Sequence, residues 1–132
     1  MKKALYYLPT VIWISVVTTL CLMPGDDVPS SSFLEKIHFD KIVHFGMFAG
    51  VVFLTGWGIF KHRKHISGTT LIALVVFAAS FGLAIEFIQK YWAIGRSFDL
   101  FDLLADSLGA VFGAGFLRLF INWWFKPRTA GK

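Results

Sequence analysis

The residues able to do chemistry in this chain fall into three short groups. Asp40-Lys41 is followed one helical turn later by His44, Glu86 is followed by Gln89, and Arg96 leads to Asp99, Asp102 and Asp106. Carboxylates beside an imidazole are general acid–base groups. Carboxylates converging from several directions hold a divalent cation, and ammonium or guanidinium groups hold phosphate. At about 100° per residue, Asp40 and His44 lie about 40° apart on one helix face, and Glu86 and Gln89 share another. Asp99, Asp102 and Asp106 occupy an arc of about 60° over roughly 10 Å of helix. His44, Glu86, Asp99, Asp102 and Asp106 are therefore the catalytic candidates, with His44 able to carry a proton near neutral pH. Asp40, Lys41, Gln89 and Arg96 are the candidate substrate-binding groups. A divalent cation between Asp99, Asp102 and Glu86 is compatible with this set, but no metal ligand follows from spacing alone.

Each group has a plainer use. Asp40 stands where a helix cap would, Arg96 and Asp99 can form a simple interfacial pair, and solvation accounts for Gln89 and Lys90. Gly109 and Gly113 are a small-xxx-small pair that serves close helix packing. The two histidines of Lys61-His62-Arg63-Lys64-His65 sit in a basic loop and read as part of a topology signal rather than a metal site. Glu86 and Asp106 resist such explanations best. A carboxylate at the centre of a span costs about 2.5–3.5 kcal/mol on insertion scales, so one is retained for a reason.

The elements that must position these groups are read from hydropathy. The chain has 132 residues, 56% hydrophobic and only 16% charged, with a mean hydropathy of +0.66. That is a membrane composition. Four apolar runs, at about residues 5–23, 42–60, 71–88 and 103–125, are each long enough to cross or nearly cross a hydrocarbon core of about 30 Å. They lack period-2 alternation, so they predict helices rather than barrel strands. The expectation is an all-α bundle of four transmembrane helices in a single domain over 1–132. The first run imitates a secretory signal after Lys2-Lys3, but it is long and no A-x-A-like site precedes Pro24, so it reads as a retained span. A short interfacial helix is expected at 33–37. The lone cysteine, Cys21, allows no internal disulfide.

Charge orients the bundle. All the acids, Asp26, Asp27, Glu35, Asp40, Glu86, Asp99, Asp102 and Asp106, lie at or beyond one end of the apolar runs. Most basic residues, including Lys61, Arg63, Lys64, Lys126 and Arg128, lie at the other end. The positive-inside rule then places both termini and the 61–65 loop in the cytoplasm. Arg118 can snorkel to that same surface. The polar constellation faces outward. The net charge of +5 is spent on these short flanking clusters, which excludes a nucleic-acid groove as the reading.

The order Asp40-Lys41-x-x-His44-Phe45, then Glu86-x-x-Gln89, then Arg96-x-x-Asp99-x-x-Asp102, then Asp106-x-x-Gly109-x-x-x-Gly113 resembles the VanZ-like family of small bacterial membrane proteins. With the leading span, the resemblance covers nearly the whole chain. The family often carries asparagine where this chain has Asp106. The resemblance implies a multi-pass protein of the bacterial plasma (inner) membrane and cell envelope, whose family namesake is associated with antibiotic resistance to the glycopeptide teicoplanin. It marks Asp40, Lys41, His44, Glu86, Gln89, Arg96, Asp99, Asp102 and Asp106 as the family's polar signature.

Three functions fit. The first is an outward polar cleft that binds or modifies an outer-leaflet lipid or lipid-linked cell-wall precursor. Glu86 or an Asp would be the base, His44 the acid or base, and Lys41 with Arg96 would hold phosphate. The second is a non-catalytic scaffold subunit, as a homo-oligomer or with a cell-wall enzyme partner. The third is a small proton-coupled transporter, against which the first span carries no acid and the carboxylates gather at one side.

Overall fold

The computed structural model describes residues 3–24, 31, 33, 38–92 and 95–125. A 3-10 turn over Ala4–Tyr7 leads into helix α1, Leu8–Leu22, with a proline at its start where the missing N–H has no intrahelical partner to lose. Three longer helices follow: α2, Phe39–Arg63; α3, Gly68–Trp92; and α4, Leu100–Phe125. Their 25, 25 and 26 residues span roughly 37–39 Å, more than the hydrocarbon core requires. All four segments are long and apolar enough to cross a membrane, and no strand occurs among the described residues. The expected all-α bundle is the structure. α2 and α3 extend beyond the apolar runs at both ends, because backbone hydrogen bonding continues into the polar residues that flank each run. The interfacial helix expected at 33–37 lies largely outside the described residues.

The turn from α2 to α3 is defined by local chemistry. Lys64, at φ 60°, closes α2 in the left-handed conformation, and its N–H donates to the Phe60 carbonyl at 2.7 Å. Ser67 then caps α3, accepting the Thr70 N–H at 3.0 Å.

α2 and α4 run parallel and form the tightest contact in the bundle. A Cβ on Gly109 would collide with the Phe45 carbonyl, and one on Gly113 with the Ala49 carbonyl. These glycines let the two backbones touch, which is how small-xxx-small pairs drive helix association in lipid. α3 packs antiparallel across both, burying Ala78, Ile85, Phe48, Val51, Val52, Ala110 and Leu117 in one core. α1 is held to α2 by Trp13, whose Nε1–H donates to the Met47 carbonyl at 2.9 Å. It is held to α3 by Gln89, whose Nε2 donates to the Cys21 carbonyl at 2.7 Å.

The burial pattern is inverted relative to a water-soluble protein. Ile72, Phe77, Leu104, Phe112 and Leu119 face outward, while His44, Glu86, Gln89, Asp102 and Asp106 are inside. Lipid accepts the apolar exterior, and polar groups must find each other within. Trp57, Phe60, Phe120 and Phe125 cluster at the end opposite the acids, with the Lys61 ammonium 4.7 Å from the Trp57 ring centroid. Arg118 is exposed on α4, and its guanidinium lies near Gly68 at the start of α3 on that same end.

Candidate functional site

The site is built where α2 and α4 begin and α3 ends. Because α2 and α4 are parallel and in close register, His44 on α2 comes opposite Asp106 on α4, and Lys41 comes opposite Asp102. The sequence separation in each pair is about sixty residues, so only helix packing creates these contacts.

Lys41 organises the outer part. Its Nζ donates to Asp99 Oδ2 at 2.5 Å, Asp102 Oδ1 at 2.6 Å and Asp40 Oδ2 at 2.8 Å. An ammonium has three donors, and all three are committed to carboxylates. Lys41 therefore ties the start of α2 to the start of α4, and holding a phosphate would require it to release one of them. Asp40 is exposed and lies within the first turn of α2; it makes no side-chain cap. The capping position is filled at α4 instead. Asp99 precedes the first helical residue, Leu100, and its Oδ1 accepts the Phe101 N–H at 2.8 Å. Burial pushes the Asp99 carboxyl upward, but the Lys41 ammonium and the Phe101 N–H outweigh it, and the net shift is below the ordinary carboxylate value. Asp99 thus stands at the head of the acidic face of α4, not on it.

Glu86, Asp106 and His44 form the inner part. Glu86 and Asp106 are both 0% exposed, and His44 is 5% exposed. His44 Nδ1 and Asp106 Oδ1 are hydrogen-bonded at 2.9 Å, and with Asp106 ionised the imidazole is the donor. Its Nε2 then points to Asp102 Oδ2, 3.8 Å away. Glu86 Oε2 accepts the Asp99 backbone N–H at 2.7 Å, so α3 is latched to the turn before α4. Among the described residues, Glu86 Oε1 and Asp106 Oδ2 are buried without a hydrogen-bond partner. Gly82 leaves the space Asp106 needs: a Cβ there would lie 2.6 Å from Asp106 Oδ2.

All the expected residues reach this end of the bundle, but their parts differ. Asp40, Lys41, His44, Glu86, Asp99, Asp102 and Asp106 are joined by direct contacts. Gln89, fully buried, serves the α1–α3 contact, and Arg96 donates through Nε to the Met23 carbonyl at 3.3 Å, securing the end of α1. Asp99 pairs with Lys41, with no ion pair to Arg96 among the described residues. Two sets offer three ligand atoms within 4.8 Å of one another, namely Asp40, Asp99 and Asp102, and His44, Glu86 and Asp102. Asp99 faces Lys41, so the set that includes Glu86 is completed by His44. Gly82 is a position that makes room for the site and that sequence reading does not single out. Its spacing of one turn from Glu86 was the available signal, but its role toward Asp106 needs the α3–α4 contact.

A groove of about 300 Å³ lies elsewhere, lined by Trp13, Gly50, Phe53, Phe112, Gly113 and Phe116 among others. No cluster residue and no α3 residue lines it, so it does not lead to the acids.

A sequence model of the VanZ/LLP1 family matches residues 5–121. An uncharacterized protein of fission yeast, Schizosaccharomyces pombe, is 34% identical over 93 residues, which is 70% of this chain and 52% of the relative. The chain thus spans about half the length of that relative, and the likeness is not confined to bacteria. No solved structure matches the chain.

Proposed function

This chain belongs to the VanZ-like family, and from that premise we propose that its carboxylate–histidine cluster binds or modifies the headgroup of an outer-leaflet lipid or lipid-linked envelope component. One observation carries the reading. Glu86 and Asp106 are fully buried carboxylates in an apolar bundle, and among the described residues each keeps one oxygen unpartnered beside His44. Leaving buried acceptors unmatched costs more than a simple helix contact returns, which favours a working site over a structural one. Exposure grades from the open Asp40 through the half-open Asp99 and Lys41 to the closed Asp106, so a headgroup arriving from the bundle end meets charge first and acid–base groups next.

The chemistry suited to such a site is hydrolysis or group transfer at a headgroup ester, with cluster residues accepting the proton of the attacking oxygen and returning one to the leaving oxygen. Orientation supports an outer-leaflet substrate. The acids gather at one end, and the basic residues at the other would face the cytoplasm with both termini, in a plasma membrane. The relative in a eukaryote favours a phospholipid-type headgroup over a precursor found only in bacterial walls. A changed outer surface would in turn alter teicoplanin susceptibility in a bacterial host.

The test is an untargeted comparison of lipids and lipid-linked precursors from cells with the protein, without it, and with Glu86→Gln. A species that accumulates equally in the null and in the Glu86→Gln strain supports the proposal. Identical lipid profiles in all strains, with Glu86→Ala and Asp99→Ala fully active in cells, overturn it. Copurification with a wall enzyme and no lipid turnover would favour the scaffold reading.

A further inference from the structure

We propose that His44, Glu86 and Asp102 form the binding site of a divalent transition-metal ion of the zinc class, with Asp106 orienting the imidazole. The inference concerns the same cluster but does not depend on which lipid, if any, the protein acts upon.

One ligand atom from each of these three residues lies within 4.8 Å of the others. Zinc bonds to nitrogen and oxygen of about 2.0–2.2 Å at tetrahedral angles place neighbouring ligands about 3.4 Å apart. The His44 Nε2 to Asp102 Oδ2 distance is 3.8 Å, too long for a hydrogen bond but close to what two ligands of one ion require. Closing the remainder takes a side-chain adjustment of about 1 Å.

The state of each ligand atom points the same way. With Asp106 ionised, His44 donates Nδ1–H to it at 2.9 Å, and in the neutral imidazole the Nε2 lone pair then faces Asp102. A carboxylate holding the far nitrogen of a ligating histidine is the usual outer-shell arrangement at metal sites, because it fixes both tautomer and ring direction. Glu86 is fully buried and anchored through Oε2 to the Asp99 N–H, and its Oε1 has no partner among the described residues.

The second carboxylate set provides an internal contrast. Asp40, Asp99 and Asp102 also converge, but the Lys41 ammonium already sits between them and supplies their cation. The inner set meets that ammonium only through the other oxygen of Asp102, Oδ1, while Asp102 Oδ2 faces His44. Among the described residues, Asp40, Glu86, Asp99, Asp102 and Asp106 share one ammonium, that of Lys41, and a neutral imidazole, so a divalent ion would offset about half of the remaining negative charge. One imidazole with two carboxylates selects zinc-class ions, since magnesium and calcium prefer oxygen alone. With an ion present His44 is a ligand, and proton transfer passes to carboxylate oxygens left free.

The full chain, purified in mild detergent and stripped with a chelator, is titrated with Zn²⁺ alone and with Mg²⁺ alone, and Co²⁺ serves as a spectroscopic probe. About one equivalent of zinc should bind with a rise in melting temperature, Mg²⁺ should fail to compete, and Co²⁺ should give visible bands of a nitrogen–oxygen site. Glu86→Gln and Asp102→Asn should abolish stoichiometric binding, Asp106→Asn should weaken it about 10–100-fold, and Gly115→Ala should leave it unchanged. Should a ligand variant fail to fold, the Co²⁺ spectrum and the chelator-dependent melt of the unaltered protein still decide. No stoichiometric zinc in the unaltered protein, or undiminished binding in folded Glu86→Gln and Asp102→Asn, overturns the proposal. Absence of metal with lipid turnover intact removes this inference and leaves the proposed function standing.

Discussion

Gly109→Ala tests whether the site depends on the α2–α4 contact. The added Cβ would lie 2.9 Å from the Phe45 carbonyl carbon and 3.0 Å from its Cα, and nearer still to the carbonyl oxygen. Carbon atoms pack at about 3.5–4.0 Å. Phe45 is backbone here and cannot swing aside, so the helices must part by about 1 Å. That displacement reaches the site directly, because His44 adjoins Phe45 and Asp106 lies one turn before Gly109. The His44–Asp106 bond of 2.9 Å and the Lys41–Asp102 bond of 2.6 Å would stretch to about 3.6–3.9 Å, beyond hydrogen-bonding range. Overpacking costs about 1–3 kcal/mol and a lost charge-assisted bond about 1.5–3 kcal/mol, while alanine's helix preference returns about 1 kcal/mol. The expected net loss is about 2–4 kcal/mol, a clear drop in melting temperature in mild detergent. Gly115→Ala is the control, since nothing lies within 4 Å of its added Cβ on the outer face of the same helix. It should be neutral or stabilising. Equal stability of Gly109→Ala and Gly115→Ala would refute the reasoning.

Three further outcomes are expected. Lys41→Met leaves Asp99 and Asp102 without their ammonium and should cost about 2–3 kcal/mol, a buried-pair figure reduced for the lysine's partial exposure; Asp40→Asn, on the exposed rim, should cost no more than about 0.5 kcal/mol by the same melt. The Asp99 carboxyl is held below its ordinary value of 3.8, so its contribution is fully present above that pH and is lost as pH falls through the lowered value. Acid titration of the melting temperature should therefore show a low-pH loss that is smaller in Asp99→Asn. Gln89→Leu removes the bond that holds α1 at the Cys21 carbonyl, costing about 1–2 kcal/mol; Cys21, buried in the folded protein, should then react faster with a maleimide.

Much of this was readable in advance, for identifiable reasons. The four helices followed from runs of residues that lipid accepts and water does not. That the acids gather at one end of the bundle followed from where Asp and Glu stand relative to those runs. Gly109 and Gly113 announced a close helix contact. What spacing along one helix did not reveal was the partner. In sequence Lys41 pairs with Arg96 as a candidate phosphate donor, with Asp40 as its one neighbouring acid; in space three carboxylates surround it. Asp40, a candidate binding group with helix capping as its plainer use, makes no side-chain cap on α2, while Asp99 caps α4 and ties into Lys41. Gln89 and Arg96 were grouped with the site, and both turn to hold α1 by backbone carbonyls.

The amino-acid order by itself determined the class of solvent, the number of spans and which end of each carries charge, because burial in lipid acts on each segment independently of its neighbours. Tertiary structure alone decided which charge meets which. The parallel register of α2 and α4, set where glycine lets two backbones touch, puts His44 on Asp106 and Lys41 among the aspartates, and such contacts across about sixty residues leave no trace in local spacing.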